Sequence, residues 1–222
     1  MGRASMSPRR VIIAGGHGKI ALQLGRALVE DGTPVSGLIR NTGHSPDLLA
    51  IGIRPVTWDL EQDGPGLAEV IAGASAVVFA AGAGPGSGAG RKQTMDRDGA
   101  IRLMEAAREA NVHRYVMVSA MGARGEIDPG GGVFEAYLRA KAEADRVLQA
   151  SGLDWTIVRP GTLTDDAPRG RIALGPELPP GSIPRSDVAV VLAAVLAGAH
   201  TIHKAFDVVS GSTRIVDAVA SA

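Results

Sequence analysis

The sequence predicts an α/β fold: a doubly wound, mostly parallel sheet with helices on both faces. Short apolar runs alternate with longer amphipathic ones, the pattern of βαβ units whose sheet is covered on both sides. Hydrophobic residues make up 45% of the 222-residue chain and aromatic ones only 3%. The core is therefore built from Ala, Val, Leu and Ile packed around glycine, which suits close helix-on-sheet packing.

Strands are expected near Val11–Ala14, Pro34–Ile39, Arg54–Thr57, Ala76–Ala80, Tyr115–Ser119, Thr156–Val158 and Ala205–Val209. Helices are expected over Ile20–Glu30, Arg97–Ala110, Phe134–Ala150 and Asp187–Leu196, each with apolar residues at three- and four-residue spacing. Gly82 to Gly90 is a low-complexity stretch that reads as a mobile loop, because glycine loses the most backbone freedom on ordering. Residues 1–9 read as a flexible tail and 10–222 as one domain. Within it, residues 162–184 form a small substrate-side loop region stiffened by Pro168, Pro176, Pro179, Pro180 and Pro184.

The 23 basic and 23 acidic residues cancel, which lacks the electrostatic footprint of a nucleic-acid binder. With no cysteine, disulfides, thiolate metal sites and cysteine nucleophiles are excluded. The run Val11-Ile12-Ile13-Ala14 is too short for a signal-peptide core or a membrane span. A cytoplasmic protein is expected, monomer or homodimer, with a small-molecule partner, no nucleic acid and no membrane. His200 and His203 lack a third ligand, so no metal is expected.

The turn Gly15-Gly16-His17-Gly18-Lys19-Ile20-Ala21 follows a four-residue apolar strand and opens an amphipathic helix. Its G-x-x-G-x-x-A pattern removes side chains where backbone N–H groups and a helix N-terminus would approach a pyrophosphate. That context predicts a dinucleotide on a Rossmann-type fold; the bland alternative is a tight turn packing helix on strand. A P-loop is excluded, because Ile20 follows Gly18-Lys19 in place of Ser or Thr. The second strand ends in Arg40, where an NAD-specific site usually carries an acid. A guanidinium there pairs with a 2′-phosphate, so NADP is expected ahead of NAD; a solvated surface arginine is the alternative. His17 lies in the turn, either within reach of phosphate or simply exposed as loop histidines commonly are.

Tyr137 and Lys141 lie four residues apart on one predicted helix face. An ammonium beside a phenol favours phenolate, which would tune Tyr137 for proton transfer. Ser119, at the carboxyl end of the preceding strand, is placed to donate to a substrate carbonyl; the alternatives are a chance Tyr–Lys spacing and a serine that only caps the strand end. Asp96 reads as a helix-start acid favoured by the dipole, and Asp187 as a helix cap.

Taken together, G-x-x-G-x-x-A, Asp59-Leu60, Ala80-Ala81-Gly82, Asp96 with Gly99, Val118-Ser119, Tyr137-x-x-x-Lys141 and Val158-Arg159-Pro160-Gly161 resemble an atypical short-chain dehydrogenase/reductase. The likeness runs from about Arg10 to Ser210, towards small bacterial NAD(P)-binding oxidoreductases grouped with NmrA-like and flavin/biliverdin-reductase-like proteins. It implies that Asp59 and Leu60 lie against the adenine, that Ala81 and Gly82 line the cofactor and that Pro160 and Gly161 pass the nicotinamide. It also implies that Ser119, Tyr137 and Lys141 polarise a carbonyl and supply its proton. Ala21 replaces the third glycine of the commoner turn. Ser119 and Tyr137 stand farther apart than is usual, with Gly130-Gly131-Gly132 between them. The expected activity is hydride transfer between NADP(H) and a small carbonyl, flavin or quinone-like substrate. The alternatives are a non-catalytic NADP(H)-sensing regulator of the NmrA type and, ranked lower, an epimerase or dehydratase.

Overall fold

The structure is a computed structural model that describes residues 10–62, 64–84, 86–125 and 127–222. The tail expected at 1–9 lies outside the described residues, as does Pro85 of the glycine-rich stretch.

Six strands alternate with helices through the first part of the chain. They are β1 (Val11–Ala14), β2 (Val35–Ile39), β3 (Arg54–Thr57), β4 (Ala76–Phe79), β5 (Arg114–Val118) and β6 (Asp154–Pro160). The connecting helices are α1 (Lys19–Glu30), α2 (Ser45–Leu49), α3 (Leu67–Ile71), α4 (Ala89–Arg91), α5 (Ala100–Glu109) and α6 (Val133–Gln149). The rest of the chain adds β7 (Thr162–Thr164), β8 (Arg171–Gly175), β9 (Ser182–Pro184), α7 (Arg185–Ala197), β10 (Lys204–Ser210), β11 (Thr213–Arg214) and α8 (Ile215–Ala220).

One nine-stranded sheet runs in the order β11-β8-β10-β6-β5-β4-β1-β2-β3. The strands from β10 through β3 pair in parallel, and β8 alone is reversed, pairing antiparallel with both of its neighbours, β10 and β11. The chain winds outward from β1 to β3, then restarts at β4 on the other side of β1. The carboxyl ends of β1 and β4 therefore border a switch point, where α/β sheets bind ligands.

The sheet is buried on both faces. Val11, Ile13 and Leu24 join a core with Val191 of α7, while Ile12, Ala14 and Phe79 join Leu103 and Leu148 on the opposite side. Continuous apolar strands are the consequence, with β1, β2 and β4 buried at every position.

Three features depart from the sequence expectations. Residues 162–184 carry three short strands where the proline content predicts a loop. The prolines fall between those strands or at the end of β9, where a missing N–H disturbs no ladder, and β7 and β9 pair as a small separate sheet. The helix expected from Arg97 begins earlier, as a π-helical segment over Lys92–Gly99 that runs into α5; such segments are rare and frequent at functional sites. Finally, Asp187 does not cap α7, whose N-cap is Pro184. It sits buried in the first turn and accepts from Arg169 N and Gly170 N at 2.9 and 3.0 Å, tying the 169–170 turn to the helix.

Candidate cofactor and substrate site

The turn after β1 is a cradle that only glycine permits. Gly15 has φ +76°, and a Cβ on it would lie 2.6 Å from Ala81 Cα; a Cβ on Gly16 would lie 2.7 Å from Gly37 Cα. Gly16 N donates to Leu38 O, and Gly18 N donates to Gly15 O. The first bond ties the turn to β2, and the second closes the turn on itself. Gly18 caps α1 with no side-chain hydrogen bond, so first-turn N–H groups carry the positive end of the helix dipole into the cleft.

An open cavity of about 340 Å³ lies over this turn. Its walls include Gly15, His17, Gly18, Arg40, Asp59, Leu60, Ala81 and Gly82, which gathers eight of the twelve expected cofactor residues on one surface. His44, Trp58, Arg91 and Met95 also line it. His17 stacks on His44 with ring centroids 3.7 Å apart, and its Nε2 lies 2.8 Å from Asp47 Oδ2. The carboxylate of Asp59 accepts from Glu61 N at 3.0 Å and from Gln62 Nε2 at 3.3 Å, shaping the turn after β3. Arg40 donates to Glu61 at 3.2 Å.

A second cavity of about 560 Å³ continues from the first, sharing Ala80 through Gly84 as a common wall. Ser119, Tyr137 and Lys141 line it with Asp96 and Lys92, against apolar walls from Ile20, Val118, Val133, Phe134 and Leu163. A mostly apolar pocket of this size with a few convergent polar groups suits a small molecule. Among the expected cofactor residues, Ile20 faces this second cavity rather than the first. Lys19 points away, its Nζ 2.6 Å from Asp165 Oδ2. Pro160 and Gly161 line neither cavity among the described residues; Leu163 supplies that wall instead.

The glycine-rich stretch is more ordered than its composition predicts. Ala83 is buried, its N–H donates to Asp96 Oδ2 at 3.1 Å, and Ala89 and Gly90 belong to α4. Asp96 is accordingly no helix-start residue. It lies within the π-helical segment with no solvent exposure, and its Oδ1 stands 3.3 Å from Lys141 Nζ. The same ammonium donates to Val118 O at 3.1 Å and lies 6.0 Å from the Tyr137 ring centroid. One cation thus serves a carboxylate, a carbonyl and the face of a phenol.

This charge balance reverses the expected tuning of Tyr137. Burial pushes its hydroxyl above the usual phenol value; Lys141 pulls it down, while Asp96 and Asp145 push it up again. The phenol is held neutral. Ser119 is buried and donates to Asp145 Oδ2 at 2.9 Å, an oxygen that also receives Arg159 Nε at 2.9 Å. Burial raises the Asp145 carboxyl, and Arg159 opposes the shift. Its one hydroxyl hydrogen is donated to Asp145, so Ser119 has acceptor lone pairs left to offer, not the donor to a substrate carbonyl expected of it.

Asp145, Arg159 and Asp96 are the groups that sequence reasoning missed or underread. A signal existed. Asp96 precedes buried Gly99, Ala100 and Leu103 at helical spacing, and Asp145 shares a buried stripe with Ala140, Lys141, Ala144 and Leu148. An acid on an apolar stripe demands a partner, because an unpaired buried charge is too costly to retain.

A Rossmann-type sheet with a glycine turn at its switch point defines a dinucleotide-binding protein, and the chain belongs to the NAD(P)H-binding family, whose model matches residues 15–199. Its likeness to individual proteins spans nearly its full length. The Bacillus subtilis protein named "Uncharacterized sugar epimerase YhfK" is 33% identical over 212 residues, covering 95% of this chain and 98% of that one. A solved Bacillus halodurans protein described as "Putative NAD-dependent epimerase/dehydratase" superposes with a TM-score of 0.90 at 36% identity, covering 96% of this chain and 100% of the other. The oxidoreductase ylbE from Lactococcus lactis superposes with a TM-score of 0.84 at 26% identity, covering 96% and 95%.

Proposed function

We propose that the protein is an NADP(H)-dependent oxidoreductase acting on a small carbonyl, flavin or quinone-like substrate. The observation that carries this reading is the continuity of the two cavities: the wall Ala80–Gly84 joins the phosphate-binding turn to the pocket of Tyr137 and Lys141. The cleft fits a dinucleotide, because its cradle at Gly15 and Gly16 has no room for a Cβ. Gly15, Gly18 and the first turn of α1 would hold the pyrophosphate, Asp59 and Leu60 the adenosine, and Arg40 the 2′-phosphate. When bound, the cofactor supplies or accepts the hydride.

The chain's own groups do the rest. The neutral phenol of Tyr137 donates a proton to the substrate oxygen. Lys141 then stabilises the phenolate left behind, the electrostatic part of acid catalysis. Ile20, Val118, Phe134 and Leu163 keep water from the substrate. With NADPH and a panel of such acceptors, the nicotinamide absorbance should bleach, and Tyr137→Phe should lower kcat by about a hundredfold or more. An unchanged kcat removes Tyr137 from the mechanism.

One observation favours a second reading, a cofactor sensor without turnover: Asp96 offsets the charge of Lys141, and the phenol of Tyr137 is raised instead of lowered. Tight NADPH binding with no acceptor reduced anywhere in the panel would select it. The epimerase names of two relatives point to a third chemistry. Against it stands the small segment 162–184, which is short for holding a nucleotide sugar.

A further inference from the structure

The adenosine end of the cleft holds a carboxylate where an NADP-binding protein needs an anion receptor. Glu61 follows Leu60 just beyond β3, and its oxygens are bound by three side chains from two other parts of the fold. Arg91, in α4, donates through Nη2 to Oε2 at 2.9 Å and through Nε to Oε2 and Oε1 at 3.1 and 3.3 Å. Thr94 Oγ1 donates to Oε1 at 2.7 Å, and Arg40 Nη1 reaches Oε2 at 3.2 Å from the end of β2. Arg40 and Arg91 both line the adenosine cavity.

Two guanidinium groups and a hydroxyl converging on a pair of oxygens form the donor set that recognises phosphate. In this structure that set is filled from within. The Arg91 hydrogen bond, with further help from Thr94 and Arg40, holds the Glu61 carboxyl below its ordinary value, so the carboxylate carries its charge at neutral pH. Arg91 also donates to Ala83 O at 3.0 Å, which fixes the guanidinium to the cavity wall.

Resting on the reading that the cleft takes NADP(H), we propose that Arg40, Arg91 and Thr94 form the receptor for the 2′-phosphate and that Glu61 is a built-in competitor occupying it. A 2′-phosphate binds by displacing the Glu61 carboxylate from the arginines. A ribose bearing only a 2′-hydroxyl makes no such demand, so NAD(H) binds with Glu61 in place. Glu61 therefore narrows the preference that Arg40 and Arg91 would otherwise impose, and one chain accepts both cofactors.

The test is titration of the full chain with NADPH and with NADH, following nicotinamide fluorescence, for the wild type and for E61Q, E61D and R91M. Thermal melts check that each variant is folded. E61Q should tighten NADPH about tenfold while changing NADH less than twofold. E61D keeps the charge but withdraws it by one methylene, and should move NADPH in the same direction by less. R91M should weaken NADPH about tenfold and leave NADH unchanged. If both cofactors bind and the E61Q and E61D ratios stay at the wild-type value or shift toward NADH, Glu61 is a scaffold or a ribose ligand; the competitor proposal fails while the cleft remains a cofactor site. If neither cofactor binds any folded variant, the reading of the cleft fails with it.

Discussion

Replacing Asp96 with Asn removes a negative charge that faces Lys141 across 3.3 Å of buried space. At an effective dielectric near 20 that attraction is about 5 kcal/mol before desolvation is counted. Breaking one partner of such a pair, so that the other stays buried and charged, costs about 3–5 kcal/mol. For a chain of this size each kcal/mol moves Tm by about 2–4 °C, so D96N should melt about 6–20 °C lower. The same change removes one of the influences that raise the Tyr137 hydroxyl and leaves Lys141 to pull it down. Tyr137 in D96N should therefore ionise at lower pH than in the wild type. The sign for stability follows: a phenol raised in the folded state stabilises fully below its unfolded value near 10 and loses that contribution as pH rises through the folded value. D96N should shrink this alkaline contribution. The chain has only two tyrosines, and Tyr115 is fully buried and raised well above the usual phenol value. Phenolate absorbance that appears first on raising pH thus reports Tyr137. The double variant D96N/K141M should lose less stability than the two single losses combined, because neither charge is then left alone. A D96N Tm within 2 °C of wild type, together with an unshifted Tyr137 titration, would refute the pairing and its effect on the phenol.

Three further substitutions test the scaffold and the turn. Asp187→Ala removes the carboxylate that accepts from Arg169 N and Gly170 N and should cost about 3 kcal/mol in urea unfolding, since hydrogen bonds to charged groups contribute about 1.5–3 kcal/mol each; a change under about 0.5 kcal/mol contradicts the tie. Gly15→Ala should weaken NADPH at least tenfold and lower Tm, because the new Cβ meets Ala81 in a left-handed backbone conformation. Gly73→Ala, at φ +74° with open space around it, feels the strain alone, about 1–2 kcal/mol, and should leave cofactor affinity intact.

The elements that sequence reading placed well are those whose cause is local. β1 and β3 match their expected bounds, β1 because it is a run of strand formers closed by two glycines and β3 as an edge strand that tolerates Pro55, and β5 differs from its expected bounds by one residue at each end. Helices α1 and α6 follow from apolar stripes that stand out over several turns, and α7 from a continuous apolar run too long for a strand. The π-helical start before α5 was not legible, since Lys92–Gly99 carries one large apolar side chain, Met95, and so shows no period to read. Nor were β7, β8 and β9: each is short, and β8 is held by pairing with β10 and β11, far away in sequence.

The site divides along the same line. The phosphate-binding turn was readable because glycine, strand end and helix start are consecutive in the chain and sterics alone demand them. Tyr137 and Lys141 were readable as a pair because one helix sets their spacing. What that pair does was decided by tertiary contacts: Asp96 arrives from the π-helical segment to compensate Lys141, and Asp145 accepts the hydrogen bond of Ser119. Likewise, Arg40 raised the expectation of a phosphate there, but only the fold shows Glu61 held by Arg40, Arg91 and Thr94 together. Periodicity and turn chemistry act over a few residues and can be read from order alone. Charge compensation depends on distance through space, and the distance from Asp96 to Lys141 exists only once the sheet has brought their helices together.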